Sequence, residues 1–489
     1  MSDPASNASA DSDSASKRRW YRRPWVLLSL AGLAVLTSIP FAVRGYQLSL
    51  IPDIPDPFAD LPPLPSAVTT TARDPLVDRY LQSRQRCVDW DNWIEADEPS
   101  SREYEQFAGE LRAAGESGLA GATPGIRRFY HDNAAVIEEW FAALERVADK
   151  SIADRSTTID ALTDDCVFDL LRITAIERLQ QGDSEECLSL YLQAATSLDR
   201  IELNHTWEWS QIWFFRVIVW KAIVKLAECP EIDSRLLRQA LTTLKSLSGT
   251  ADDVRLRLFQ LEYHEEIDYQ RDPDFVWISA DYLSVPSSAG TLAAYILGEP
   301  ELSERILRHI YAGYRSQVLL DRFERLPTGG LTVDFNETVW IDQSGAGTVH
   351  EDVLERTIRR SPLMRHFGAS PSLLITFDAE AAWLALTRTA IACQLYRREN
   401  GAFPVSLDEL VPGYLDSVPL DPWSLAGTSF VYRVTSGYAE LASVGRDGTF
   451  DGGFSGARSN RDWYEDDFGI LIRTRINHPE QAEEPEKTE

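Results

Sequence analysis

The amino-acid sequence predicts a mostly α-helical protein, an array of helical hairpins, with a single N-terminal transmembrane helix and a small α+β domain at the C-terminal end. Three observations lead to this fold class. An uncharged apolar segment lies near the N-terminus, apolar residues recur at three- and four-residue steps through the first half, and two alternating runs follow a helical pattern near the C-terminus. A chain of 489 residues is long enough for several domains with a hydrophobic core.

The charge balance is strongly acidic, with 48 Lys and Arg against 76 Asp and Glu and a net charge of −28. Such a surface repels phosphate backbones, so we expect no nucleic-acid partner. It suits divalent cations or basic protein partners, although most of the carboxylates are expected simply to be solvated.

The N-terminus sets the expected topology. Residues 1–24 are polar and then basic, and they predict a disordered cytoplasmic segment. Residues 25–44 carry no charge before Arg44 and match the roughly 20 residues that cross a hydrocarbon core, so they predict a transmembrane anchor. The five cations of residues 17–23 place the N-terminus in the cytoplasm and the bulk of the chain on the periplasmic or exoplasmic side of the cytoplasmic (inner) membrane. A cleaved signal peptide is the alternative, but no clean cleavage site precedes Gly45, which favours a single-pass signal anchor.

Two segments of different character follow the anchor. Residues 45–75 are rich in proline, which disfavours helices and central strands, and they predict an extended linker. Residues 76–272 show helical periodicity and predict a helical domain. Within it, residues 209–228 combine aromatic residues with three cations, which favours a buried helix of a soluble domain over a second membrane span.

One break in the helical domain has a distinct pattern. Gly182 and Asp183 interrupt two helical runs, and Tyr191 and Ala194 follow in the second run. The arrangement resembles the turn and second helix of a tetratricopeptide repeat. No copy follows one repeat length later, so a helical hairpin array without strict repeats is the safer interpretation.

The five cysteines show no metal-binding spacing. Because export permits disulfides, one bridge among Cys166, Cys187 and Cys229 fits their placement in helices that are expected to pack together. The sequence does not determine which two of them pair. Because the chain has five cysteines, at least one thiol has no disulfide partner.

Residues 273–370 predict a connector of mixed helix and loop. Residues 301–326 have a helical pattern, and residues 327–352 alternate like a hairpin or a long loop. We assign no function to this segment.

Residues 371–473 predict an α+β domain, and the charged residues 474–489 predict a disordered acidic tail. The domain begins with a helix that ends before Gly401, since glycine favours a left-handed C-cap. Ser406 with Glu409 three residues later predicts a capping box for a short second helix.

A turn and two strands complete this domain. Asp421, Pro422 and Trp423 predict the turn, and residues 429–434 and 438–444 alternate as two antiparallel strands. A loop rich in glycine and aspartate follows the second strand.

The order of these motifs resembles the C-terminal domain of the type II secretion system major pseudopilin. Three motifs agree, in order and at fitting distances, over residues 375–470. The agreeing residues are Leu395, Tyr396, Asn400, Gly401, Phe403 and Pro404 in the first motif, Pro419, Asp421, Pro422, Trp423 and Tyr432 in the second, and Ser443, Gly445, Asp447, Gly448, Gly452 and Gly453 in the third. Residues 424–429 are an insertion relative to the family pattern.

The resemblance implies a calcium ion in the loop after the second strand. The implied ligands are the side chains of Asp447 and Asp451, the main-chain carbonyl of Val444, and a later carboxylate among Asp462, Asp466 and Asp467. Such a loop suits a hard cation, which takes roughly six to eight oxygen ligands, because glycines let carbonyls turn inward. The alternative is a solvated loop of Gly and Asp without a metal.

The sequence favours a non-enzymatic envelope protein, a scaffold or accessory component of a type II secretion or pilus-like apparatus. Its expected partners are the membrane and other envelope proteins. The chain has no nucleophile elbow, phosphate-binding loop or dinucleotide fingerprint. The alternative is an exported, membrane-tethered hydrolase that uses paired carboxylates of the helical region.

Overall fold

The fold is mostly helical, with a three-stranded antiparallel sheet at the C-terminal end, which confirms the predicted fold class at this level. The computed structural model describes residues 24–63, 109–111, 113–114, 118–148, 165–201, 206–271, 299–321, 324, 331–333, 337–339, 371–435, 437–445, 448, 450 and 468–473. The chain divides into two compact units. The first contains the described parts of residues 1–59, 263–314 and 328–368, and the second contains those of residues 60–262, 315–327 and 369–489.

The long helices follow the predicted helical pattern. They are α1 (Pro24–Leu50), α2 (Pro124–Ala148), α3 (Asp165–Gln181), α4 (Ser184–Arg200), α5 (Thr206–Ala227), α6 (Ser234–Ser246), α7 (Asp252–Arg271), α8 (Glu299–Gln317) and α9 (Pro371–Asn400). In the described part of the chain, two short 3-10 helices span Leu119–Gly121 and Leu407–Leu410. Across the described residues, no helix is both long and apolar enough to span a membrane.

In the first unit, the segment after α1 packs against α8. Residues 45–50, which were predicted to belong to the linker, continue α1 until Pro52 stops helical hydrogen bonding. The side chains of Ile51 and Phe58 are then fully buried. The ring of Phe58 lies 5.7 Å from that of Tyr263, and the ring nitrogen Nε2 of His309 on α8 lies 2.8 Å from the Pro52 carbonyl oxygen.

The connector contains one helix and one hairpin among its described residues. The predicted helix 301–326 is α8, which ends earlier, at Gln317. Strands β1 (Leu331–Val333) and β2 (Glu337–Val339) pair antiparallel, so the alternating segment forms a hairpin there.

In the second unit, α5 and α9 form the centre of the core. Helix α5 packs against α3, α4 and α9, and its predicted burial is confirmed by Phe215, Val219 and Ile223, which have no exposed surface. Each fully buried apolar side chain of this size contributes about 1.5–3 kcal/mol to folding. Helix α9 is the first element of the C-terminal module (residues 371–473). It packs against the C-terminal sheet and also against α5 and α6, and so joins the module to the other helices.

The turn between α3 and α4 lies where the sequence placed it. Gly182 has φ 88°, a left-handed conformation that favours glycine, and the Asp183 N–H donates to the Arg178 carbonyl at 3.0 Å. The hydroxyl of Tyr191 donates to the Leu171 carbonyl across the two helices.

The end of α9 confirms one expectation and corrects another. Gly401 has φ 81° and donates its N–H to the Arg397 carbonyl at 2.8 Å, as a C-cap glycine does. The predicted capping box is wrong, because the Ser406 side chain accepts no bond from the backbone of the 3-10 helix. The Glu409 carboxylate instead accepts from the Val405 N–H at 3.1 Å and from the Tyr396 hydroxyl of α9 at 2.8 Å. These bonds hold the carboxylate away from the capping position.

The C-terminal sheet has the order β3–β4–β5, with every neighbouring pair antiparallel. The strands are β3 (Val431–Val434), β4 (Tyr438–Ser443) and β5 (Phe468–Arg473). The first two match the predicted strands, whereas β5 was not predicted. The face that includes Leu441, Ile470 and Ile472 is buried, and α9 packs against β4 and β5.

Candidate functional site

The base of the predicted calcium loop is organised by one buried carboxylate. Asp421 has no exposed surface, and its carboxylate accepts hydrogen bonds from three donors of the described residues. The donors are the Trp423 N–H at 3.0 Å, the Ser443 hydroxyl at 2.9 Å and the Val444 N–H at 2.8 Å. Asp421 therefore joins the Asp-Pro-Trp turn to the end of β4, where the loop begins. We call these four residues the Asp421 hub.

The hub also sets the direction of the Val444 carbonyl. The Gly445 N–H approaches the Ser443 hydroxyl at 3.4 Å. Because the N–H and C=O of one trans peptide point in opposite directions, the Val444 carbonyl points away from that hydroxyl. Gly445 and Gly448 have φ of 65° and 74°, and the Gly448 N–H bonds to the Gly445 carbonyl at 3.3 Å. The start of the loop is thus a tight turn that glycine makes accessible.

Of the predicted calcium ligands, only Val444 lies among the described residues. The other predicted ligands, Asp447, Asp451, Asp462, Asp466 and Asp467, lie outside them. Among the described residues, no group of three or more His, Cys, Asp or Glu side chains could hold a metal ion. The calcium site therefore stays a prediction.

The insertion relative to the family pattern forms a small closed loop against the glycine turn. The Ser424 hydroxyl accepts from the Thr428 N–H at 3.0 Å, and the Asp421 N–H donates to the Thr428 carbonyl at 2.8 Å. A Cβ atom at Gly448 would lie only 2.9 Å from Cγ of Leu425. The insertion thus covers the turn and excludes a side chain at position 448.

A second contact joins the first and second motifs. The hydroxyl of Tyr432 on β3 donates to the Pro404 carbonyl at 3.0 Å, just beyond the end of α9. Burial raises the pKa of this phenol well above its usual range. The hydroxyl therefore stays protonated at neutral pH and remains a donor.

The C-terminal module is attached to the helices at residues 228–230, which we call the junction loop. The buried Glu228 carboxylate accepts from the Arg473 N–H of β5 at 3.0 Å and from Lys225 Nζ at 2.9 Å. From α9, the Arg398 guanidinium donates to the carbonyls of Cys229 and, at 3.1 Å, Pro230. Strand β5 and helix α9 therefore both contact this loop.

A buried ion pair holds α5 against α9. The guanidinium of Arg216 contacts the Glu380 carboxylate and donates to the Leu198 carbonyl at 2.8 Å and the Thr250 hydroxyl at 3.2 Å. Both charged side chains are almost completely buried. Because so little of either side chain is exposed, we interpret the pair as structural. A charged residue within an apolar helix is the signal in the sequence that indicates such a pair.

Lys221 on α5 is a second unusual cation. Its Nζ atom lies 4.4 Å from the centroid of the Trp383 ring on α9. Although part of the side chain is exposed, burial of the ammonium group lowers the pKa of Lys221 to about 8, with a smaller effect from Arg172.

A depression of about 540 Å³ lies at the start of α4 beside α6. Asp183, Glu185 and Glu186 line it together with leucines, and Glu185 forms an ion pair with Arg235 at 3.2 Å. The helical part of the second unit therefore has an acidic concave surface.

Comparison with protein-family models, curated proteins and solved structures finds no match to this chain.

Proposed function

We propose that the chain is a membrane-anchored envelope protein that carries a calcium-stabilised, pseudopilin-like module. In this proposal it acts as a non-enzymatic scaffold or accessory component of a type II secretion or pilus-like apparatus. The helical hairpin array docks other envelope proteins, and the module presents its C-terminal loop to the apparatus.

One observation carries this proposal: the three motifs of the resemblance contact one another. Asp421 of the second motif binds Ser443 of the third at 2.9 Å, and Tyr432 of the second binds Pro404 of the first at 3.0 Å. Contacts between the three motifs are what a shared architecture requires. The agreement thus supports a shared architecture rather than scattered identities.

The loop geometry supports calcium. The Val444 carbonyl points away from the Ser443 hydroxyl, and Gly445 and Gly448 allow the chain to curl after it. A carbonyl oxygen followed by several carboxylates is the kind of ligand set that calcium takes outside the cytoplasm. In the proposal Asp447 supplies the first carboxylate.

The exposure of α1 supports the anchor. Large apolar side chains on this helix face solvent, with Leu28 at 72% and Val35 at 61% exposure. Exposed apolar surface of this extent fits a lipid environment. The docked segment after α1 then ties the anchor to the first unit, with the bulk of the chain on the periplasmic or exoplasmic side.

Calcium binding is tested on the purified full-length chain in detergent, by hydrogen exchange with calcium and with chelator. For a dissociation constant near ~10⁻⁴ M, tenfold excess calcium stabilises by about 1.4 kcal/mol, so exchange in β4 and β5 slows about tenfold. Asp447→Ala removes this effect, and the control Asp408→Ala keeps it. Equal exchange in both buffers contradicts the calcium proposal.

The role in secretion has its own readout. In the native host, Asp447→Ala lowers the amount of type II substrate released to the medium, whereas Asp408→Ala does not. Unchanged secretion with normal protein levels contradicts the proposed apparatus.

A further inference from the structure

We propose that Cys187 and Cys229 form a disulfide bond that joins the start of α4 to the junction loop. The bond requires an oxidising compartment, so the inference rests on the proposed placement of the chain outside the cytoplasm. It selects one pair from the three cysteines that the sequence left open.

One of the two thiols belongs to α4 and the other follows α5, and these two helices are in contact. Cys187 belongs to the first turns of α4, and Cys229 follows the end of α5 by two residues. Both are buried, with 1% and 4% exposure. Helices α4 and α5 pack directly against each other.

Ser184 gives the position of one thiol relative to the other. Its hydroxyl oxygen lies 3.5 Å from the sulfur of Cys229. Cys187 is three residues further along the same helix, so its Cβ lies about 5–6 Å from that of Ser184 on the same face. Cys187 therefore lies one helical turn from the residue whose hydroxyl touches the Cys229 sulfur, which makes Cys187 and Cys229 neighbours. In the structure both cysteines are thiols, as is Cys393 in the core of α9.

The reaction is a thiol–disulfide exchange with a small-molecule or protein disulfide as the oxidant. The S–H bonds of Cys187 and Cys229 and the S–S bond of the oxidant break. One new S–S bond joins the two cysteines, and the oxidant leaves as two thiols. The protein thiols are oxidised and the oxidant is reduced, so the exchange balances.

Burial of the two thiols limits the exchange to the period in which the chain folds. Burial raises the pKa of the Cys187 thiol to about 12 and also raises the pKa of the Cys229 thiol, to which Glu231 adds through a hydrogen bond. Since the thiolate is the attacking species, folded reduced protein reacts slowly. The bond therefore forms while the chain folds, and the closed core afterwards shields it from reductants.

The consequence is a fixed junction. Arg398 of α9 donates to the Cys229 carbonyl, and Arg473 of β5 donates its N–H to Glu228 beside it. A bond from Cys229 to α4 fixes the loop that both of these elements contact. The oxidised chain thus holds its C-terminal module more firmly than the reduced chain does.

The test begins with full-length chain that is reduced, denatured and refolded in detergent with a glutathione redox buffer. Remaining thiols are alkylated, and peptides are mapped by mass spectrometry without reduction. The expected product is a peptide pair joined through Cys187 and Cys229, with Cys393 alkylated as an internal control. Both cysteines alkylated, or either of them joined to another cysteine, overturns the pairing.

Two variants and the reductant sharpen the result. Because the folded core shields the bond, dithiothreitol is added in denaturant and kept during refolding. It lowers the melting temperature of the wild type and of Cys393→Ser by several degrees, because the bond closes a loop of about 40 residues. It leaves Cys187→Ser unchanged. An equal effect of reductant on the three proteins contradicts the bond.

A measurement in cells separates this inference from the proposed function. Protein trapped with an alkylating agent in intact cells is mapped in the same way. Linked cysteines support both the pairing and the export. Cysteines that link on refolding but are alkylated in cells support the pairing and contradict export.

Discussion

Replacing the Asp421 carboxylate with an amide tests the hub directly. Asp421→Asn keeps the shape but puts an NH₂ group in place of one acceptor oxygen. If the amide oxygen keeps the Trp423 and Ser443 donors, the NH₂ group faces the Val444 N–H, and a buried donor loses its partner. Loss of a bond to a charged acceptor and an unsatisfied donor together cost about 2–3 kcal/mol. Local opening at the end of β4 then becomes about 30- to 150-fold more frequent.

Hydrogen exchange of the full-length chain in detergent measures this change, in peptides that cover residues 438–445. The matched control is Asp416→Asn in the same module. The carboxylate of Asp416 is 90% exposed and pairs with Lys245 at 2.8 Å, and such pairs contribute roughly 0–1 kcal/mol. If Asp421→Asn accelerates exchange no more than Asp416→Asn does, the hub does not hold the loop base and the argument from the joined motifs fails.

Two further substitutions address the core of each unit. Burial lowers the pKa of Lys221 in the folded state to about 8 from 10.5. Between these two pH values the unfolded chain binds more protons than the folded chain. The free energy of unfolding therefore rises with pH in this range, by at most about 3 kcal/mol. Urea unfolding at several pH values should show that Lys221→Met removes this rise and that Lys245→Met keeps it; parallel profiles for both variants contradict the assignment. Phe58→Ala removes a fully buried ring and should cost about 3–5 kcal/mol, so limited proteolysis should cut the segment after α1 faster than in the exposed control Val405→Ala. Equal cleavage of the two variants shows that the segment is not held by Phe58.

The features that the sequence predicted are those that depend on neighbouring residues. The end of α9 follows from Gly401, whose left-handed conformation and bond to the Arg397 carbonyl involve one helical turn. Strands β3 and β4 follow from alternation within short runs. The buried helix α5 follows from its composition, since three cations would each be costly in a membrane and its apolar residues require a core.

The features that were missed depend on residues far apart in the chain. The carboxylate of Asp421 meets partners 22 and 23 residues later, so its motif predicted a turn but not a hub. Strand β5 pairs with β4 across the loop, and no turn signal links the two runs. Phe58 lies among prolines and acidic residues, and it packs against the rings of Tyr263 and Tyr311, which lie more than 200 residues further along the chain. Pairing over such distances is decided by the whole fold and is not written in a local pattern.

The hydrogen bonds of Arg398 to the junction loop determine which mutations of this loop the contact tolerates. The guanidinium donates to the carbonyls of Ala227, Cys229 and Pro230, which every amino acid provides. The identity of the side chains at these positions is therefore free to drift without loss of the contact. One inserted or deleted residue, in contrast, shifts all three acceptors at once. The contact with Arg398 therefore constrains the length of the loop, whereas its side chains are constrained by other contacts, such as those of the Glu228 carboxylate and the proposed bond of Cys229.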